Sequence, residues 1–389
     1  MTAPIDPSAI AAECSPVSPQ DFVDALLRTG FSVEAYRDAY ADLASLGLNA
    51  TDLLAHFLRH GLNERRSAPV AVDSHALTAL ARLPLRDADL KARLLSSLGT
   101  QLVHNAPDRF APEIAARWPV LRTLTNQGAR PFVIVGDSHS NQYRLMDARD
   151  GAWLLPLHIL CTGGSARGLG NPTSHSGYGA RLRHAAQCID ALPGTRDLPF
   201  LLLFGQVDIE FVYHFQRVRD GKRHLSLDDY RAFCDATLER YLAFLTKLFG
   251  PQDRSRVFLV SVFPPALSDA AWREGYVNDD IADREAALPL AELAAGIRLL
   301  EIADLRRRTD IHAQFNAGLR AACRRLGFRF VDNFTPFLGP DGLVDPRFVV
   351  PDTKGAEHHL DGRTTCDVVA TLIWHCIDAM GTPRDLRTG

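Results

Sequence analysis

The sequence has no continuous apolar stretch near the ~18 residues that a membrane-spanning helix needs, so no span is expected. Its first 14 residues carry neither a basic start nor an apolar run. No secretory leader is visible, and a cytoplasmic setting is expected. Lysine is scarce, four of 43 basic residues, and 46 acidic residues bring the net charge to −3. The electrostatic footprint of a dedicated nucleic-acid binder is missing, so no nucleic-acid partner is expected. The seven cysteines (14, 161, 188, 234, 323, 366 and 376) are scattered and contain no Cys-x-x-Cys pair. Neither a zinc site nor a disulfide framework follows, and reduced, mostly buried thiols are the reading. The chain also lacks a strand-to-helix Gly-x-Gly-x-x-Gly pattern and a Walker Gly-Lys-Ser/Thr, which argues against a nucleotide-phosphate loop. His139, His358 and His359 lack a compact ligand spacing, so no metal or other cofactor is expected.

What is present is the composition of a folded chain. Its 389 residues are 46% hydrophobic and 23% charged, enough for two or three domains with a sizeable core. Residues 1–17 are rich in Pro, Ala and Ser and read as a flexible tail. Residues 18–70 read as a small helical module: Phe22, Leu26, Leu27, Phe31, Tyr36 and Tyr40 recur at helical spacings, with glycines at 30, 47 and 61 as stops. Residues 71–127 read as a helical linker region broken by Pro107, Pro112 and Pro119. From 128 to 389 the rhythm changes. Short apolar runs at 132–135, 153–160, 200–204, 257–263 and 328–331 alternate with helical patterns at 181–191, 227–249, 303–326 and 364–379. That alternation implies βαβ units and a parallel sheet covered on both faces. The stretch 268–300 is a candidate lid or specificity loop, and Arg306–Arg308 reads as a solvated helix face.

In such sheets ligands sit at the carboxyl ends of strands. The first run ends in Gly136-Asp137-Ser138-His139. A serine at that turn has its hydroxyl at the sheet edge and the amides of the next helical turn beside it, a setting that favours developing negative charge. The hydroxyl becomes a nucleophile only when a base takes its proton. Gly355-Ala356-Glu357-His358-His359-Leu360-Asp361 lies in a loop before the last helix and supplies candidates. His359 can accept the Ser138 proton, and a nearby carboxylate can orient the imidazole. His358 is the rival base. Cys161 has nothing that visibly lowers its pKa and is assigned to the core.

Gly-Asp-Ser after the first strand, a Gly after the second, Gly-x-x-Asp after the third and a late His resemble the SGNH (GDSL-like) hydrolases over about residues 128–385. The resemblance implies a flavodoxin-like three-layer α/β/α sandwich, with a small all-α domain in front of it here. It implies Ser138 as nucleophile and as one oxyanion donor through its amide, Gly164 (with Gly163 as rival) as a second donor, and His359 as base. Two departures stand out. Gly205-Gln206-Val207-Asp208 replaces the family's Gly-x-Asn-Asp, so an oxyanion donor is lost unless Gln206 supplies it, and one such donor is worth ~10²–10³ in rate. Ala356 stands where the family has Asp, leaving Glu357 as the nearest acid, with Asp352 and Asp361 as competitors. Asp137 and Asp208 read as acceptors that brace the substrate-side loops.

Tyr36-Arg37-Asp38-Ala39-Tyr40-Ala41-Asp42-Leu43 and His56-Phe57-Leu58-Arg59-His60-Gly61-Leu62-Asn63-Glu64-Arg65-Arg66 resemble a module found beside bacterial surface-polysaccharide proteins, with Ala41 and Arg65 as departures. By association this implies a carbohydrate or acylated glycan as substrate and polysaccharide-assembly proteins as partners of the module. The expectation is a serine esterase or O-acetyltransferase acting through a Ser-His-acid acyl-enzyme. The alternative is an inactive SGNH-fold binding or scaffold protein, which the altered third block and displaced acid favour.

Overall fold

The computed structural model of the chain describes residues 5–66, 72–286, 288–351, 353 and 355–381. Among the described residues seven strands form one sheet. They are β1 (Val103–Asn105), β2 (Ala129–Gly136), β3 (Ala148–Arg149), β4 (Ala152–Leu160), β5 (Phe200–Leu203), β6 (Val257–Val260) and β7 (Arg329–Val331). The order is β1-β4-β2-β5-β6-β7, parallel throughout, with β3 antiparallel on β4. Successive strand residues face opposite sides. Val133, Val135, Leu155, Leu157, Leu202 and Leu259 therefore join one core cluster with residues of the helices Pro107–Asn126, Tyr178–Asp190 and Leu227–Leu248. Phe132, Ile134, Leu154, Leu201, Phe258 and Val260 join another with the helix Gly362–Met380. Burial on both faces explains why the strands read as unbroken apolar runs, and gives the α/β/α layering expected from the sequence. The chain leaves β2 for β4 on one side and reaches β5 on the other. The carboxyl end of β2 is thus a topological switch point, where a crevice opens in open α/β sheets.

Three sequence expectations need correction. Part of the tail expected over 1–17 is helical. Pro7–Ile10 and Ala11–Cys14 are helical turns, with Ile10 and Cys14 fully buried in the core, because a short apolar face finds a partner there. Residues 88–126, expected as linker, belong to the α/β unit. Val103 pairs with Leu157 across β1 and β4, and the Ser96 hydroxyl donates to the Leu154 carbonyl at 2.9 Å. β1 and β3 span only three and two residues, too few to show an apolar rhythm. Arg308, expected in solvent, is 1% exposed. It donates to the Leu267 carbonyl at 2.8 Å and to Asp269 at 2.7 Å, fastening the helix Leu305–Leu326 to residues 267–269.

The N-terminal region folds into the helices Pro19–Arg28, Val33–Ala39, Ala41–Ala44 and Ala50–His56. The residues that carry the module's sequence pattern hold one another. Tyr36 shares a hydrogen bond with His56 at 3.2 Å, Gly61 leaves room for the Tyr36 hydroxyl that a Cβ would meet at 2.2 Å, and Arg66 pairs with Asp42 at 2.7 Å. Arg65 takes φ 54°, a left-handed value that favours glycine, and reaches Asp147 at 2.9 Å. The pattern is therefore a folding signature, which ties the module to the α/β unit.

Residues 268–300 fold into helices Asp269–Arg273, Asp279–Glu285 and Leu290–Arg298. They share a separate small core with Phe211, Phe215 and Tyr230. This cap touches the Gly355 loop and the loop after β4: the Ser268 amide donates to the Gly355 carbonyl at 2.9 Å, and Ser165 donates to Glu285 at 2.7 Å.

Candidate active site

The turn after β2 is dictated by its residues. A Cβ on Gly136 would lie 2.6 Å from the Leu203 carbonyl oxygen and 2.7 Å from the Ser140 Cβ, so only glycine fits. Asp137 caps the 3-10 turn Ser138–Tyr143: its Oδ1 accepts from the His139 amide at 2.9 Å and from His139 Nδ1 at 2.6 Å. Ser138 occupies the first position of that turn, where a helical amide has no intrahelical acceptor. Ser140 braces the turn from beneath. Its hydroxyl donates to the Asp137 carbonyl at 2.6 Å and meets His158 Nε2 at 2.8 Å. A hydroxyl has one proton, so His158 Nε2 must be the donor to Ser140. His158 Nδ1 is then bare and takes the proton of His104 Nδ1, 2.9 Å away.

The second loop arrives from the other end of the chain. Val349 and Leu360 form an isolated bridge, and Asp361 caps the helix Gly362–Met380 through the Arg363 amide at 2.9 Å. Between them, His359 Nε2 stands 2.9 Å from Ser138 Oγ. Glu357 Oε1 accepts from His359 Nδ1 at 2.7 Å and from the His359 amide at 3.0 Å. With Nδ1–H held by the carboxylate, Nε2 is bare and receives the serine proton. The hydrogen bond from His359 holds the Glu357 carboxyl well below the usual carboxylate range, against an opposing push from partial burial. His359 and Glu357 remain 30% and 33% exposed at the side chain, so small molecules reach them. His358 is engaged elsewhere. Its Nδ1 lies 2.8 Å from the Tyr276 hydroxyl and its ring packs on Phe211, and burial pushes its pKa down.

The structure therefore brings together Ser138, His359 and Glu357. Of the competing acids, Asp361 serves as a helix cap, and Asp352 lies outside the described residues. Gly164 and Gln206, expected as oxyanion donors, are engaged elsewhere, and Asp137 and Asp208 accept hydrogen bonds from the loops around them. The Gly164 amide donates to the Cys161 carbonyl at 2.7 Å and is taken up by its own turn. Gln206 is fully buried, with its amide on Glu210 Oε2 at 2.9 Å, because the buried carboxylate needs that donor. Asp208 accepts the Ala166 and Arg167 amides at 2.6 and 3.1 Å and so shapes the loop after β4. Burial raises it to about 8, with those two amides opposing. Asp137 braces its own turn, and burial raises it to about 7 while driving His139 well below its ordinary value, so His139 is neutral.

Sequence reasoning missed Ser140, His158, Tyr276 and the part played by His139. One signal was available for the last. Asp137-Ser138-His139 and Glu357-His358-His359 share an acid two residues before a histidine, and both acids make the same pair of bonds, to amide and to Nδ1. The two imidazoles lie 4.6 Å apart. His139, His358 and His359 can each offer a ring nitrogen within 4.8 Å of the others, and they are the one such group of potential metal ligands among the described residues.

No family model matches the chain, and no curated protein matches it in sequence. Among solved structures it is similar to a GDSL-like lipase from Bacteroides thetaiotaomicron, at 14% identity and a TM-score of 0.30, over 69% of this chain and 98% of that one. It is also similar to an extracellular lipase from Streptomyces rimosus, at 12% identity and a TM-score of 0.30, over 62% of this chain and 99% of that one.

Proposed function

We propose that the protein is a serine ester hydrolase working through an acyl-enzyme. The observation that carries the reading is the unbroken hydrogen-bond chain Ser138 Oγ, His359 Nε2, His359 Nδ1, Glu357 Oε1, at 2.9 and 2.7 Å. Ser138 Oγ attacks the ester carbonyl while its proton passes to His359 Nε2, and the Ser138 amide faces the oxygen that becomes negative. The carbonyl–alkoxy bond then breaks, and His359 returns the proton to the departing alcohol. Water repeats the steps in reverse: His359 takes its proton, the acyl–serine bond breaks, the acid leaves and Ser138 regains its hydrogen. Glu357 keeps Nε2 aimed at the serine and balances the transient imidazolium.

The substrate class we propose is an O-acyl, chiefly O-acetyl, ester of a glycan. It is supported by the resemblance of the N-terminal pattern to modules of surface-polysaccharide proteins, and by a catalytic histidine open to solvent. A sugar hydroxyl replacing water would make the same acyl-enzyme a transferase. One observation favours the second reading, an inactive binding protein: the Gly164 amide and the Gln206 side chain are both engaged elsewhere. A fluorophosphonate probe decides. Labelling of the wild type but not of Ser138→Ala, together with acetate release from acetyl-xylan or p-nitrophenyl acetate, is the expected result. An unlabelled wild type overturns the enzyme reading.

A further inference from the structure

The site holds more histidine than a serine mechanism uses. His139 and His358 are 1% and 2% exposed, and the Nε2 atom of each is buried without a hydrogen-bond partner. Buried polar atoms are seldom left so, and each calls for an explanation such as a water or an ion. The opposite edge of each ring is well anchored. His139 Nδ1 lies 2.6 Å from Asp137 Oδ1, His359 Nδ1 lies 2.7 Å from Glu357 Oε1, and His358 Nδ1 lies 2.8 Å from the Tyr276 hydroxyl and 3.3 Å from Glu357 Oε1. The carboxylates on Nδ1 of His139 and His359 hold the proton there and leave the lone pair on Nε2, and the Tyr276 hydroxyl, able to accept, allows His358 the same tautomer. Three imidazoles, each with Nδ1 beside an oxygen and each with a ring nitrogen within 4.8 Å of the others, match the arrangement that oriented zinc ligands adopt. The rings sit 3.9, 4.6 and 5.3 Å apart, and Phe263 packs on His139 while Phe211 packs on His358, giving the cluster apolar walls.

We propose that His139, His358 and His359 form a three-imidazole site for a zinc ion, and that filling it takes His359 Nε2 away from Ser138 and silences the serine. Neutral nitrogen ligands select zinc and its first-row neighbours over magnesium or calcium, which require oxygen. Three protein ligands leave the fourth tetrahedral position open for a water or for Ser138 Oγ. No bond to carbon forms or breaks and nothing is oxidised. The ion exchanges its waters for lone pairs, and the Ser138 hydroxyl loses its acceptor. Only the silencing rests on the serine mechanism proposed above; the binding does not.

The test uses the full chain, freed of metal with a chelator and desalted, titrated with zinc chloride by calorimetry and against a chromophoric chelator. About one zinc per chain is expected for the wild type and for Ser138→Ala, at a micromolar dissociation constant or tighter, and no uptake of magnesium. His358→Gln and His139→Gln should each weaken zinc binding by at least about tenfold. His358→Gln is the more telling variant, because His139 also helps to hold the Asp137 turn. Zinc should slow fluorophosphonate labelling of the wild type, and excess chelator should restore it. Wild type that takes up no zinc, or both glutamine variants binding as the wild type does, overturns the site. Zinc bound with labelling unchanged overturns the silencing. A serine that never labels refutes the hydrolase reading, while the zinc stoichiometry still reads out on its own.

Discussion

Glu357→Gln isolates the acid's charge from its shape. Glutamine keeps an oxygen where Oε1 now accepts both the His359 amide and Nδ1, so the loop and the imidazole orientation survive. What disappears is a negative charge next to the imidazolium that forms when Ser138 gives up its proton. Charge centres about 4 Å apart at an effective dielectric of about 20 interact by roughly 4 kcal/mol. The glutamate side chain is 33% exposed, so solvent screens part of that. A loss of about 2–3 kcal/mol in transition-state stabilisation is expected, roughly 30- to 150-fold in kcat. The substrate KM should barely move, because the charge matters chiefly once the proton has transferred. Steady-state hydrolysis of p-nitrophenyl acetate measures this. Asp361→Asn serves as the control: Asp361 caps the last helix and does not touch His359, so kcat should stay within about twofold of wild type. A Glu357→Gln enzyme as fast as wild type, or an Asp361→Asn enzyme slowed as much as Glu357→Gln, refutes the assignment of the acid.

Ser140→Ala should lower the melting temperature by several degrees, since His158 Nε2–H is left buried without an acceptor at a cost of about 1–3 kcal/mol; an unchanged melting curve by scanning calorimetry refutes the Ser140–His158 brace. His312 is fully buried, its Nδ1 donates to the Phe263 carbonyl at 3.0 Å, and burial pushes its pKa down to about 3. Its folded value lies below the ordinary 6.5, so on acidification the unfolded chain binds the proton first and the folded state loses ground. Between pH 7.5 and 5 wild type should lose about 2 kcal/mol more than His312→Asn, measured by guanidinium unfolding; parallel losses refute a buried neutral His312.

Much of the fold was legible for one physical reason. Strands buried on both faces must be apolar at every position, so β2, β4, β5 and β6 announce themselves as runs, and the chemistry-bearing residues follow directly at their carboxyl ends. Ser138 and His359 were legible because a turn serine needs a base and the late loop offers two. What draws His358 inward was not, since it depends on Tyr276 and Phe211, which only the fold brings beside it. Nor was the fate of Gly164 and Gln206: an amide's availability depends on its turn, and a glutamine's on a carboxylate four residues on that the fold happens to bury. Arg308 read as solvent-facing because its acceptors, Leu267 and Asp269, are some forty residues away in sequence and meet it only when the cap closes over its helix. His158 pairs with Ser140 across β4 and the turn after β2, a contact set by strand register that no local periodicity encodes.

The displaced acid follows from local geometry. An acid two residues before a histidine, here Glu357, accepts that histidine's amide and Nδ1 together, closing a compact ring in which backbone and imidazole fix each other. The same closure occurs with the shorter aspartate at Asp137, where the histidine is buried and its Nε2 meets nothing. One device thus occurs twice around one serine, in a half-exposed copy that reaches Ser138 and a buried copy that does not. Burial decides the difference. A base must gain and lose a proton each turnover, which the 30% exposed His359 can do and the fully enclosed, neutral His139 cannot do without a large desolvation cost. The buried copy is therefore suited to hold the turn and offer a lone pair, and the exposed copy to move protons.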